Sequence, residues 1–295
     1  MQNFFYNILT VVAAVAGDWI FLVFAGLVAI GYFLFVPRKT AECVRFYRLL
    51  FPEKSNWHHI VCTLKQYLNF TTVFLDRFLL QIRGNIRHTS EGLHLLQEAI
   101  KNGTGGILLM SHTGNWEIAA HLLKGKYSGL RLMLLMGIKH KEQIEAMQKQ
   151  SLADSGIRIL AAAPGGNSPF DIVEAVRFLR SGGFVSLTGD VVWHPSQKTL
   201  PVKFSGHEAL VPELPHILAL ISGCPIYLFF SFKTGRNQYH MQMTGPFPVT
   251  ASDRSYRKTA ILHSARNYAT HLESMVRQYP FQWYHFERFI GRKAH

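Results

Sequence analysis

Apolar and polar positions along this chain fall into three regimes. Residues 20–36 form an apolar run without a charge, and residues 11–16 extend it upstream past Asp18. Between 38 and 100 the apolar positions recur at helical spacing, through 61–68, 74–82 and 91–100, so this stretch predicts mostly helix. From Gly103 onward short apolar runs alternate with helix-period segments. The runs at 107–110, 131–136, 158–162, 184–188, 225–232 and 239–244 read as strands. The segments 116–123, 141–155, 171–179, 214–222 and 256–279 read as helices, and 163–169 reads as a loop. Alternation of this kind predicts an α/β fold, a layered and largely parallel sheet flanked by helices. The expected organisation is an N-terminal membrane anchor over 1–37, a helical lead-in over 38–100 and an α/β domain over 101–295.

Residues 9–36 are long enough to span a bilayer core with some tilt, which takes roughly 20 apolar residues. Asp18 is tolerable there only near an interface. Arg38, Lys39, Arg45 and Arg48 follow the run and no cation precedes it, so the positive-inside rule expects the body of the chain in the cytoplasm. A re-entrant or interfacial hairpin is the competing arrangement. A cleavable signal peptide fits poorly, because the basic lead and the small-residue exit are missing.

Charge narrows the partners. The formal net charge is +13, from 31 Lys and Arg against 18 Asp and Glu. Such a balance favours anionic partners. No zinc-finger spacing or RNA-recognition signature appears, so nucleic acid is not expected, and the apolar run points to anionic lipid instead. Cys43, Cys62 and Cys224 lack metal-ligand spacing and read as reduced core residues. No His-Glu-x-x-His pattern occurs, and neither a metal nor a cofactor is expected.

The chemistry concentrates after the run at 107–110, in Ser111-His112-Thr113-Gly114-Asn115-Trp116-Glu117. His112 stands where a strand opens into a loop, Gly114 permits a turn that other residues resist, and Asn115 reads as the N-cap of the next helix. On one continuous helix residues five apart lie about 140° apart, so only a bend at Gly114 brings Glu117 back to the imidazole. In that arrangement Glu117 orients one ring nitrogen and the other takes a proton from an acceptor hydroxyl. His112 and Glu117 are therefore the expected catalytic pair, with backbone amides around Gly114 and Asn115 as oxyanion donors. The plainer alternative is a surface histidine beside a helix cap.

This segment resembles the H-x-x-x-x-D/E signature of the glycerolipid and lysophospholipid acyltransferase superfamily. The form Ser-His-x-Gly-Asn-Trp-Glu is similar to the lauroyl and myristoyl transferases of lipid A biosynthesis. Further blocks follow the same order. Phe51-Pro52-Glu53 precedes it, and Gly189-Asp190 ends an apolar run. Pro201-Val202-Lys203-Phe204-Ser205-Gly206 leads to Val211-Pro212, and Pro280-Phe281-Gln282-Trp283 opens the last block. The resemblance implies a glycerolipid acyltransferase-like fold at the cytoplasmic face of a bacterial inner membrane. It implies a thioester donor, acyl carrier protein or acyl-CoA, and a lipid acceptor, first of all a lipid A precursor.

It also places Asp190 in the acceptor pocket and Lys203 and Gly206 beside an acceptor phosphate or the thioester oxyanion. Arg177 and Arg180 share a helix face that meets either phosphate or solvent. Two departures, Gly137-Ile138-Lys139-His140 in place of an arginine pair and Val191 in place of glutamine, put the acceptor in question more than the reaction. A lysophospholipid or other lipid acceptor, hydrolysis by water, and a non-catalytic lipid-binding protein are the competing functions.

Overall fold

The structure is a computed structural model, which describes residues 18–83, 86–136, 156–161, 168–194 and 196–291. Three helices lead: α1 (Asp18–Phe35), α2 (Pro37–Leu50) and α3 (Asn56–Arg83). Then follow β1 (Arg87–Glu91), α4 (His94–Asn102), β2 (Gly106–Met110), α5 (Trp116–Lys126), β3 (Leu132–Met136), β4 (Arg158–Ala161), α6 (Pro169–Arg180) and β5 (Phe184–Thr188). The chain continues through β6 (Thr199–Phe204), β7 (His207–Pro212), α7 (Leu214–Ser222), β8 (Ile226–Gly235), β9 (Gln238–Phe247) and α8 (Arg257–Gln278).

Seven strands form one sheet in the order β1-β9-β8-β2-β5-β3-β4. The five from β8 to β4 run parallel; β9 is antiparallel to β8, and β1 runs parallel to β9. The centre of the sheet explains its own sequence. β2 is buried along its whole length because helices cover both faces, so every residue of Gly-Ile-Leu-Leu-Met is apolar or small. Ile107 and Leu109 point into one core layer with Val185, Leu187, Leu228 and α8 residues such as Leu272. Leu108 and Met110 point into the other, with Leu134, Phe229 and the α5 residues Ala119 and Leu123.

The expected elements are present with shifted ends, and the expected α/β class with a mostly parallel sheet holds. The expected helix at 141–155 lies outside the described residues. β1 and the hairpin β6–β7 were not expected. β1 reads Arg-His-Thr-Ser-Glu, a polar edge strand that carries no apolar alternation and joins the sheet through backbone pairing with β9. The hairpin forms a separate two-stranded sheet. Its turn is Ser205-Gly206, both at positive φ (49° and 77°), the geometry of a two-residue type I′ turn.

At the N-terminus α1 packs through Ala29 and Phe33 against Tyr67 of α3. Its other faces leave Trp19, Val23, Leu27, Val28 and Phe35 exposed, Phe35 by 83 %. Among the described residues no single helix is long and apolar enough to cross a membrane. Leu22–Phe35 and Pro37–Leu50 meet that test only as a pair, bent by 91° at the break between them. Pro37, at the first turn of α2, has no N–H to continue α1, which accounts for the break. The expected membrane helix begins before residue 18, and that part lies outside the described residues.

Candidate active site

β2 and β5 are adjacent and in register, with Met110 opposite Thr188. Two residues beyond each strand end therefore arrive side by side, and those residues are His112 and Asp190. Both lie at the carboxyl edge of the parallel sheet, where ligands gather in folds of this kind. Asp190 Oδ1 accepts from His112 Nδ1 at 2.9 Å, and Oδ2 accepts the His112 backbone N–H at 2.8 Å. A third donor, Trp283 Nε1, also reaches Oδ2 at 2.8 Å.

Asp190 is 1 % exposed. Burial works against its ionisation, but the His112 charge and hydrogen bonds, with the nearby His285, bring its carboxyl down from the usual 3.8 to about 2. An ionised carboxylate only accepts, so Nδ1 carries the proton of the neutral ring and Nε2 presents its lone pair. The His112 side chain is 24 % exposed, and Nε2 is not among the buried polar atoms that lack a partner. It opens to solvent. Trp193 packs over the ring, with centroids 5.7 Å apart.

The loop carrying His112 is zipped to the closing segment of the chain. Gly114 N–H donates to Gln282 O and Tyr284 N–H donates to His112 O, both at 2.7 Å. The Gln282 side chain in turn pairs with the backbone N–H and C=O of Lys233 on β8, both at 2.8 Å. Gln282 thus ties that segment to the end of β8 while Trp283 reaches Asp190. Phe204 of the β6–β7 hairpin stacks beneath Trp283, with centroids 5.6 Å apart. The last two blocks of the sequence support the imidazole–carboxylate pair rather than meeting substrate through their polar groups.

Gly114 stands at φ +55°, and a Cβ there would run into the Ser231 carbonyl of β8. Gly114→Ala should therefore lower stability by roughly 3 kcal/mol or more, from left-handed strain plus the clash. Chemical denaturation of the purified variant measures it. Trp283→Phe keeps the packing but removes one of three donors to Asp190. It should raise the carboxyl's pKa and slow turnover about tenfold, the worth of about 1.4 kcal/mol, as read from kcat.

Several expectations change. The carboxylate on the imidazole is Asp190, not Glu117. Glu117 is buried in the first turn of α5, where the helix dipole favours an acid, and it is not the ring's partner. The chain does bend at Gly114, but it docks onto Gln282 and Ser231 instead of folding Glu117 back. The expected oxyanion amide of Gly114 is spent on the Gln282 carbonyl. Asn115 is the N-cap, accepting from Ile118 N–H at 3.3 Å, and its amide donates to Val73 O at 3.2 Å. Its side chain serves the fold.

Arg177 lies exposed in the last turn of α6, which feeds the start of β5, whereas the site lies at that strand's far end. Lys203 is exposed, on the face of β6 opposite Val202 and Phe204, which turn inward beneath Trp283. Gly206 makes the hairpin turn. The residues at 137–140, where an arginine pair was missed, lie outside the described residues.

Trp193, Trp283 and His285 complete the surroundings of the pair, and sequence reasoning assigned them no role. One signal was available: Asp190, like His112, follows an apolar strand by two positions. Only the adjacency of those strands was hidden.

A buried carboxylate holding the tautomer of a solvent-open imidazole, at the carboxyl edge of a parallel sheet, is the equipment of an enzyme that activates a hydroxyl or water. The model of the bacterial lipid A biosynthesis acyltransferase family matches residues 3–289, and the chain belongs to that family. It is by family a lipid acyltransferase. No curated protein matches the chain.

Proposed function

We propose that this protein moves a fatty acyl chain from a thioester to a hydroxyl of a membrane lipid at the cytoplasmic face of a bacterial inner membrane. The observation that carries this reading is the state of His112 Nε2. It is a lone pair held by Asp190, open to solvent, with no serine, threonine or cysteine hydrogen-bonded to it among the described residues. A direct transfer follows from that geometry. Nε2 takes the proton of the acceptor hydroxyl as its oxygen attacks the thioester carbonyl. The new C–O bond forms, the C–S bond breaks, and the imidazolium returns the proton to the departing thiolate. Asp190 stays ionised throughout and steadies the imidazolium.

The approach to this site is apolar. From α1 a row of rings runs inward: Phe33 to Tyr67 (5.9 Å), Tyr67 to Phe286 (4.9 Å) and Phe70 to Tyr284 (5.1 Å). Tyr284 is the residue whose N–H binds the His112 carbonyl. The exposed apolar faces of α1 rest in the bilayer in this reading, and Arg38 and Arg48 beyond it meet anionic headgroups. The excess of positive charge favours an acidic carrier protein as donor, with coenzyme A as the second candidate. Family membership makes a lipid A precursor the acceptor to try first, ahead of a lysophospholipid.

Purified protein, given a radiolabelled acyl thioester on each carrier and vesicles of each lipid, should acylate one acceptor. Free fatty acid as the sole product would make it a hydrolase. Lipid binding without turnover, unaltered in His112→Ala, would make it a binding protein.

A further inference from the structure

A second imidazole stands beside the first. His285 packs its ring on Trp283, with centroids 5.1 Å apart, and that indole is the one that donates to Asp190. His285 Nδ1 lies 3.1 Å from the Glu287 carbonyl oxygen. A carbonyl only accepts, so Nδ1 carries the proton there and Nε2 holds the lone pair. The ring is half-buried, yet its Nε2 is absent from the buried atoms without partners, which are His59 Nδ1, Gln66 Oε1, Tyr67 OH, His216 Nε2 and Ser231 Oγ. Nε2 is therefore open. Burial, only partly offset by Asp190, lowers the pKa of His285 and keeps the ring neutral. The two rings are built alike: each spends Nδ1–H on an acceptor-only oxygen and turns an accessible Nε2 acceptor outward.

We infer that the acceptor offers two hydrogen-bond donors, a hydroxyl to His112 and a neighbouring hydroxyl or amine to His285, as on a sugar or an unsubstituted glycerol. This rests on the acyl-transfer reading and narrows it. His285 is then a positioning residue, choosing polyol over simple alcohol. Sites that hydrogen-bond a substrate group discriminate strongly against analogues lacking it, because the site's polar atom is left unpaired.

The test uses the full chain and one thioester donor with two acceptors presented in the same phosphatidylglycerol vesicles. One is a monoacylglycerol with adjacent free hydroxyls, the other a fatty alcohol of equal chain length. Wild type should prefer the diol in kcat/KM. In His285→Ala that preference should shrink at least tenfold, chiefly through a higher KM for the diol. His285→Gln, whose side-chain oxygen reaches a similar point, should restore part of it. An unmoved preference in His285→Ala, or equal losses on both acceptors, would overturn the inference and leave acyl transfer standing. Transfer by wild type to the fatty alcohol with no preference for the diol would do the same. Failure of wild type to acylate any lipid, lipid A precursor included, would instead remove the reading beneath it.

Discussion

Replacing His112 by alanine should reduce acyl transfer by about a thousandfold, within the range that a positioned general base contributes. The side chain lies at a partly open edge, so the fold should survive and acceptor binding should change little. Single-turnover transfer from a labelled thioester measures the chemical step, and equilibrium binding to acceptor vesicles supplies the control. A residual rate near that of wild type would mean that Nε2 is not the base. His112→Gln sharpens the result, since its amide nitrogen can still reach Asp190 but no group remains to take up a proton.

Asp190→Asn should cost a comparable factor, about 10² to 10⁴ in kcat, for a reason visible in its partners. Three donors converge on the two carboxylate oxygens: His112 Nδ1 on one, and His112 N–H with Trp283 Nε1 on the other. An asparagine has one acceptor oxygen, so in either orientation its NH2 faces a donor. Either the ring loses the acceptor that fixes its tautomer, or two N–H groups are left unpaired. The imidazolium formed during transfer also loses its counter-charge.

The same carboxylate contributes to stability in a defined pH window. Its pKa in the folded protein is about 2, below the usual 3.8, so its contribution is present above about pH 4 and is lost as pH falls through 2. The difference is on the order of 2 kcal/mol. Acid unfolding followed by circular dichroism should lose that part of its slope in Asp190→Asn. An identical acid limb in wild type and variant would contradict the assignment.

Much of this molecule could be read along the chain. The runs that became β2, β5 and β8 are apolar because parallel strands are covered on both faces, and that local pattern shows in one dimension. The Asn115 cap was legible for the same reason, since capping is settled within four residues. His112 stood out because an imidazole follows a strand and precedes a glycine. Three findings were beyond such reading. Glu117 looked like the partner of His112 because it is near in sequence, whereas Asp190 lies 78 residues away and becomes the partner only because β2 and β5 are neighbours in register. Lys203 and Arg177 carry charges suited to a phosphate, but strand alternation turns one outward and helix direction puts the other at the far end of β5. Gln282 and Trp283 buttress the site only after the chain's end folds back onto strands formed far earlier. Local spacing determined which elements form and which residue carries the reactive nitrogen. Strand order and register, which arise from burying both faces of the sheet at once, decided which carboxylate holds it.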